Sequence, residues 1–428
     1  MQPNGTPARP GAPRTVTRRE ALLLGGAGVA SLALAACSSD STTGTSGTTA
    51  GTTAGTSGTT VGTTAGTTGV VTMDDALRAQ LDAVLAEGVA GTGVPGAAAG
   101  VWIAGEPWRG TAGVADLTTG DPYPADAFAR IASITKTFTG TAVLLRVDAG
   151  DLALDDVLET YIPGIANGTE ITIEQMLGMR SGIFDFTSDQ AFLAEFDADP
   201  TMAWTPEQTI EIIKANPPAF APGTAVQYCD SNYVLLGLIV EQLTGTTLGE
   251  AISTGILEPL GMSGTSYPTT AAVPEPHPTA YLPDLSAADP EHPLPFDNAA
   301  HPPTVVNEVN PAVSAGAGAM ISTVEDLDVW ARELGTGTLL AAETQRKRLA
   351  SELMTGQSVA GYGLGLLTIG ELVGHNGAII GYSAFAMYDP AIDATFVVVS
   401  NESTNFTTPA TDIGIALART VRPSALGG

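Results

Sequence analysis

The chain has 428 residues, a formal net charge of −28, 44% hydrophobic and 14% charged residues, and two cysteines. Such an excess of negative charge argues against nucleic acid or other polyanions as partners. The apolar fraction supports a substantial core, and two cysteines do not make a disulfide scaffold.

Taken in chain order, Thr17-Arg18-Arg19 precedes an apolar run from Ala21 to Ala36, which leads into Leu34-Ala35-Ala36-Cys37. Charge, an apolar stretch and small residues before a cleavage point describe an export signal over residues 1–36. The paired arginines resemble a twin-arginine signal. Leu-Ala-Ala-Cys resembles a bacterial lipobox, whose cysteine, here Cys37, carries lipid. The apolar run is shorter than the roughly 20 residues a membrane span needs. Residues 38–72 are nearly all Ser, Thr and Gly, too polar to offset their chain entropy by burial, so 37–72 is expected to be a flexible tether. The signal carries Arg9, Arg14, Arg18, Arg19 and Glu20, so its removal leaves about −31. The expected location is extracytoplasmic, on a bacterial cell membrane, held there as a lipoprotein.

Residues 73–428 form the body. Asp74 to Ala90 has helical spacing, with Leu77, Leu81, Val84 and Leu85 on one side. Strands are expected over Gly96 to Ala104 and Thr111 to Asp116, joined by a Gly105-Glu106-Pro107 turn. Helices and Pro/Gly-rich loops follow, with helices at Thr205 to Ala215, Asn232 to Leu243 and Thr323 to Leu334. Strands return at Gly363 to Ile369, Leu372 to His375, Tyr382 to Tyr388 and Thr395 to Ser400. A helix from Pro409 to Val421 closes the chain. Strands at both ends with helices between predict an α/β (α+β) fold. Its antiparallel sheet is built from both chain ends, flanked by helices, with an inserted, mainly helical lobe. A cleft is expected at the seam.

Ser133-Ile134-Thr135-Lys136 supplies the reactive pair. On a helix, residues three apart face one another with Cβ atoms about 5–6 Å apart. A serine needs a neighbouring base, and a buried lysine can be one. Of the three lysines, Lys136, Lys214 and Lys347, only Lys136 has a serine three residues before it. Two polar clusters fit the same cleft. One is Gln227-Tyr228-Cys229-Asp230-Ser231-Asn232-Tyr233, ahead of the apolar stretch Val234 to Leu243. The other is His375-Asn376-Gly377 at a strand end, where a small residue at Gly377 would admit a ligand close to the backbone. No Gly-x-Ser-x-Gly occurs. The four histidines form no metal-like spacing, so neither metal nor cofactor is expected.

Three signatures in order make the chain similar to the penicillin-recognising serine hydrolases related to class C β-lactamases and serine D-Ala-D-Ala carboxypeptidases. They are Ser133-x-x-Lys136, Tyr228-Cys229-Asp230 and His375-Asn376-Gly377. Phe220-Ala221-Pro222-Gly223-Thr224, Ser314 to Gly318 and Ser322 to Leu327 resemble that family as well, and the likeness covers nearly all of residues 73–425. The resemblance implies a β-lactamase/transpeptidase-like fold and an acyl-enzyme on Ser133. It implies proton transfer through Lys136 and Tyr228, and an oxyanion hole from the backbone N–H groups of Ser133 and Ala378. Asp230, His375, Asn376 and Gly377 become substrate-binding candidates. The implied substrate is a small acyl or peptidyl compound: a peptidoglycan stem peptide, an ester or a β-lactam. D-Ala-D-Ala carboxypeptidase-like activity comes first, then esterase or class-C-like β-lactamase activity, with a non-catalytic β-lactam- or peptidoglycan-binding sensor as the rival. A monomer is expected.

Two departures from the family pattern matter. Asp230 stands where asparagine is usual; an ionised aspartate accepts hydrogen bonds but donates none, so it is a candidate partner for Lys136. The third motif lacks lysine, and His375 would meet a substrate carboxylate only when protonated. Both departures count against efficient β-lactam hydrolysis. Cys229, between two cleft residues in an extended segment, should point away and act as buried filler.

Overall fold

The computed structural model describes residues 71–286, 288–289, 292–404 and 407–427. The signal, Cys37 and nearly all of the tether lie outside the described residues. The longer helices are α1 (Asp75–Thr92), α2 (Thr135–Ala149), α3 (Gln190–Ala198), α4 (Pro206–Ala215), α5 (Asp230–Thr244), α6 (Val324–Thr336) and α7 (Pro409–Val421). The main sheet has eight strands: β1 (Gly96–Ile103), β2 (Glu106–Gly113), β3 (Glu352–Leu353), β4 (Ala360–Tyr362), β5 (Leu367–Ile369), β6 (Leu372–Ile379), β7 (Tyr382–Asp389) and β8 (Ala394–Ser400).

The strand order is β2-β1-β8-β7-β6-β5-β4-β3, with antiparallel pairing throughout. The N-terminal hairpin therefore pairs directly with the last strand, Ala97 opposite Ser400, and the chain ends share one sheet. Helices cover both faces. Phe385 of β7 packs against Gly414 of α7, and Tyr388, three residues on, packs against Gly335 of α6. Residues an odd number apart on a strand point to opposite faces. That double cover explains why β1, β7 and β8 are buried along their whole length. The segment from α2 to α6 forms the helical lobe, as the alternation of element types predicts.

Three boundaries differ from expectation. Ala104 and Gly105 both have positive φ, 49° and 86°, the backbone of a two-residue hairpin turn, so β2 begins at Glu106. Pro107 is tolerated because β2 is the sheet edge. Gly363 to Leu366 is a turn between β4 and β5 rather than strand. β6 runs on through Gly377 to Ile379, so His375-Asn376-Gly377 lies inside a strand, held by register with Ala384, Phe385 and Ala386 of β7.

Candidate active site

Ser133 sits in a 3-10 turn, Ala132–Ile134, that feeds straight into α2. From Ala129 to Leu144 every residue is buried except Ser133. The turn carries an unusual backbone: Ala132 has φ 46°, a conformation that side chains disfavour and that clusters at functional sites. What holds it is close packing. A Cβ on Gly377 of β6 would lie 2.4 Å from the Ile131 carbonyl oxygen and 3.0 Å from the Ser133 nitrogen. Gly377 is thus needed because the protein's own backbone, rather than a ligand, comes close at that point.

The polar threonines of α2 are matched inside the core. Thr137 Oγ1 accepts from Trp330 Nε1 at 2.7 Å, and the Trp330 ring stacks on Phe138. Thr139 donates to the Gly316 carbonyl at 2.7 Å. Satisfied in this way, such a helix can be buried without desolvation cost left unpaid by hydrogen bonds.

Lys136 is fully buried. Its Nζ donates to Ser133 Oγ at 2.9 Å and to the Ala317 carbonyl at 2.8 Å, and it pairs with Asp230 Oδ1 at 2.6 Å. Three donors meet three acceptors, the stereochemistry of an ammonium. The ring of Tyr228 lies 4.8 Å from the same nitrogen. The Tyr228 hydroxyl is itself buried and makes no hydrogen bond of acceptable geometry. Burial, reinforced by the Asp230 charge, pushes this phenol well above its ordinary range, although the adjacent Ser133 hydroxyl opposes the shift. At rest Tyr228 is a neutral phenol beside Ser133.

The cleft is lined by Ser133, Tyr228, Asp230, Asn376, Gly377 and Ala378 together with an apolar wall of Phe186, Phe192, Leu193 and Phe196. Ala378 follows Gly377 on the strand that meets the Ser133 turn, so its backbone borders the same space as Ser133. The Asn376 side chain donates to Thr411 Oγ1 at 3.0 Å. His375 is placed differently from the substrate-facing position expected for it: it is buried, does not line the cleft, and shares a hydrogen bond with the Tyr362 hydroxyl at 3.1 Å. Burial, and then the charge of Lys136, bring its imidazole down to about 3, so it is neutral. Its Nδ1 faces the Asn376 carbonyl as donor, leaving Nε2 to accept from Tyr362. Cys229 turns away from Ser133 toward the Ile183 carbonyl, with Sγ to O at 3.5 Å.

The role of one cleft residue was not anticipated. Asp185 keeps some exposed surface in the cleft yet is ringed by protein. Burial and the neighbouring Asp230 carboxylate push it up to about 7, against two bonds from Thr187 that favour the anion. Nothing in Gly182-Ile183-Phe184-Asp185 signals this by spacing; it is a lone acid in an apolar stretch.

A model of the beta-lactamase family matches residues 81–420. A D-stereospecific amidohydrolase from Streptomyces sp. superposes with a TM-score of 0.70 at 30% identity, covering 81% of this chain and 98% of that one. Esterase EstB of Burkholderia gladioli is 31% identical over 59% of this chain and 68% of its own length. Penicillin-binding protein 4 of Amycolatopsis lactamdurans is 33% identical over 40% of this chain, and the match spans only 44% of that protein. The chain belongs to the beta-lactamase family of serine hydrolases.

Proposed function

We propose that this protein hydrolyses esters or amides through an acyl-enzyme on Ser133, favouring acyl groups that are neutral or cationic. The observation that carries this is the Lys136 ammonium held between Ser133 Oγ and Asp230, with the neutral Tyr228 phenol beside the same serine. Ser133 Oγ forms a bond to the substrate carbonyl carbon as its proton passes to Lys136 Nζ and Lys136 yields one of its own protons to Asp230 Oδ1, 2.6 Å away; the Tyr228 hydroxyl relays a proton on toward the leaving group. The backbone N–H groups of Ser133 and Ala378 receive the oxyanion. The bond to the leaving group breaks as that group takes the proton. Water then attacks the ester on Ser133, giving up a proton by the reverse route and releasing the acid.

The substrate's charge preference follows from the lining. A D-Ala-D-Ala carboxypeptidase or a β-lactamase must hold a substrate carboxylate. No lysine or arginine lines the cleft among the described residues, and His375 is neutral and turned away. These features favour the esterase or amidase side of the family over the carboxypeptidase side. The aromatic wall suits an apolar acyl substituent. The lipobox-like segment ending at Cys37 supports an extracytoplasmic, lipid-anchored location, which metabolic labelling with a fatty acid would test: Cys37→Ser should take up none.

Intact-protein mass after exposure to a p-nitrophenyl ester, penicillin and a D-Ala-D-Ala peptide tests the main proposal. The ester should give a transient adduct that turns over and is missing in Ser133→Ala. An adduct of equal size on Ser133→Ala, or turnover of the peptide alone, would overturn it.

A further inference from the structure

The ionisable side chains lining the cleft among the described residues are Tyr228, Asp230 and Asp185. Asp230 is spent on Lys136 at 2.6 Å. Asp185 has no cationic partner within the cleft lining. Its loop is fastened from both sides by buried groups on α5. Ser181 Oγ donates to Asn232 Oδ1 at 2.6 Å, the Phe186 N–H donates to Ser231 Oγ at 2.9 Å, and Ser231 Oγ donates to the Phe184 carbonyl at 2.8 Å. The carboxylate is therefore positioned by the fold rather than left on a free loop. Oδ1 accepts from the Thr187 N–H at 3.1 Å and the Thr187 hydroxyl at 2.9 Å. Among the described residues Oδ2 accepts one long bond, 3.3 Å from the Asp230 N–H. A carboxylate oxygen has room for a second donor.

The net charge of the site points the same way. Lys136 and Asp230 cancel, His375 is neutral, and Tyr228 is a neutral phenol. Cys229, also near Asp185, is held neutral by burial. Ionised, Asp185 leaves the site one negative charge in excess, and a bound cation would restore neutrality. Phe186 and Phe192 stand on the same wall, so the space beside the carboxylate is apolar and strengthens a charge pair formed there.

We propose that Asp185 is a specificity-determining residue that receives an ammonium group carried on the acyl part of the substrate attacked by Ser133. The inference rests on the acyl-enzyme proposal for Ser133 and adds the substrate's charge. Because Asp185 sits near 7, binding a cation should drive off its proton, and preference for cationic substrates should grow as pH rises through that region.

The test uses the full chain and p-nitrophenyl esters in matched pairs. β-Alanyl is set against butanoyl and 6-aminohexanoyl against heptanoyl, each pair exchanging an ammonium for a methyl group. Such an ammonium stays largely charged at pH 8 and below. At pH 8 the ammonium member of at least one pair should be favoured in kcat/KM by about tenfold, mainly through KM. The ratio should fall toward one at pH 5.5. Asp185→Asn should abolish the preference and its pH dependence, and Asp185→Glu should restore much of both. The ratio cancels any general loss of activity in the variants. Equal treatment of both members of both pairs by the wild type, or an unchanged ratio in Asp185→Asn, overturns the inference while leaving the acyl-enzyme intact. Should Asp185→Asn fail to fold, a pH-independent ratio in the wild type overturns it equally. Failure to hydrolyse any of the four esters, with no adduct on Ser133, overturns the acyl-enzyme proposal itself and this inference with it.

Discussion

The two walls of the cleft are built in opposite ways. The reactive wall, Ser133 to Lys136 against β6, is dense: Lys136 is matched three for three, Gly377 touches the turn that presents Ser133, and Ala132 is held at a positive φ. The facing wall, Asp185 to Phe196, consists of a short turn, one nine-residue helix and three phenylalanines, with a carboxylate partly open to the cleft. The difference teaches where each property of the enzyme resides. Chemistry needs atoms fixed within a fraction of an ångström, and only a close-packed core does that. Selectivity needs shape and charge at a surface, which a turn fastened to a helix supplies.

Tyr228→Phe should break the reactive wall with the largest effect. Removing one proton-transfer group costs about 10²–10⁴ in rate. The hydroxyl makes no hydrogen bond of acceptable geometry among the described residues, so its loss should leave thermal stability unchanged or slightly raised. Steady-state kinetics beside a melting curve checks both. A variant with wild-type kcat would remove Tyr228 from the relay.

Gly377→Ala comes next. The added carbon would meet the Ile131 carbonyl oxygen, a backbone atom, at 2.4 Å, so either β6 or the Ser133 turn must move. A displacement of that kind costs about 10²-fold in kcat/KM and about 1–3 kcal/mol in stability from overpacking. The same change at Gly105, where nothing lies close, should leave activity alone; it is strained only by its φ of 86°. Similar activity losses at both glycines would mean that packing on the reactive wall is not what sets the geometry.

Much of the reactive wall was legible in the sequence because it is local. Ser133 and Lys136 are three residues apart on one turn, and that spacing alone brings amine to hydroxyl. Tyr228 and Asp230 required the family resemblance, since their approach to Lys136 depends on how α5 crosses α2. The sheet could be foreseen from strands at both chain ends, but the length of β6 could not, because Gly374 and Gly377 weaken the strand signal that pairing with β7 overrides. His375 looked like a ligand contact and is instead a core residue bonded to Tyr362, an outcome fixed by a strand register the sequence does not display. Asp185 was legible only as the head of a loop, Asp185 to Thr201, expected to carry specificity; its own role was not, because its setting comes from Ser231 and Asn232 on a distant helix.

A carboxylate outside the cleft separates the effect of position from that of chemistry. Glu402 follows β8, is fully buried, and is pushed up to about 8 by burial, against a hydrogen bond from Asn298 at 2.7 Å. Its second oxygen has no hydrogen-bond partner among the described residues. A carboxyl whose pKa is raised by folding binds its proton more tightly in the folded chain. The unfolded chain then holds fewer protons between about pH 4 and pH 8, so this group's contribution to stability declines as pH rises through that window. Glu402→Gln removes the ionisation and keeps an oxygen for Asn298. Relative to wild type it should be near neutral at pH 5 and more stable above pH 8, on the order of 1–3 kcal/mol, read as a pH-dependent gain in Tm. Its effect on kcat/KM for either member of an ester pair should be within about twofold, because Glu402 lines no part of the cleft. Asp185 carries the same kind of shift yet should alter selectivity. If Glu402→Gln changed the cationic-to-neutral ratio as Asp185→Asn does, that ratio would report the protein's overall charge rather than a carboxylate in the cleft, and the contrast between the two walls would lose its electrostatic half.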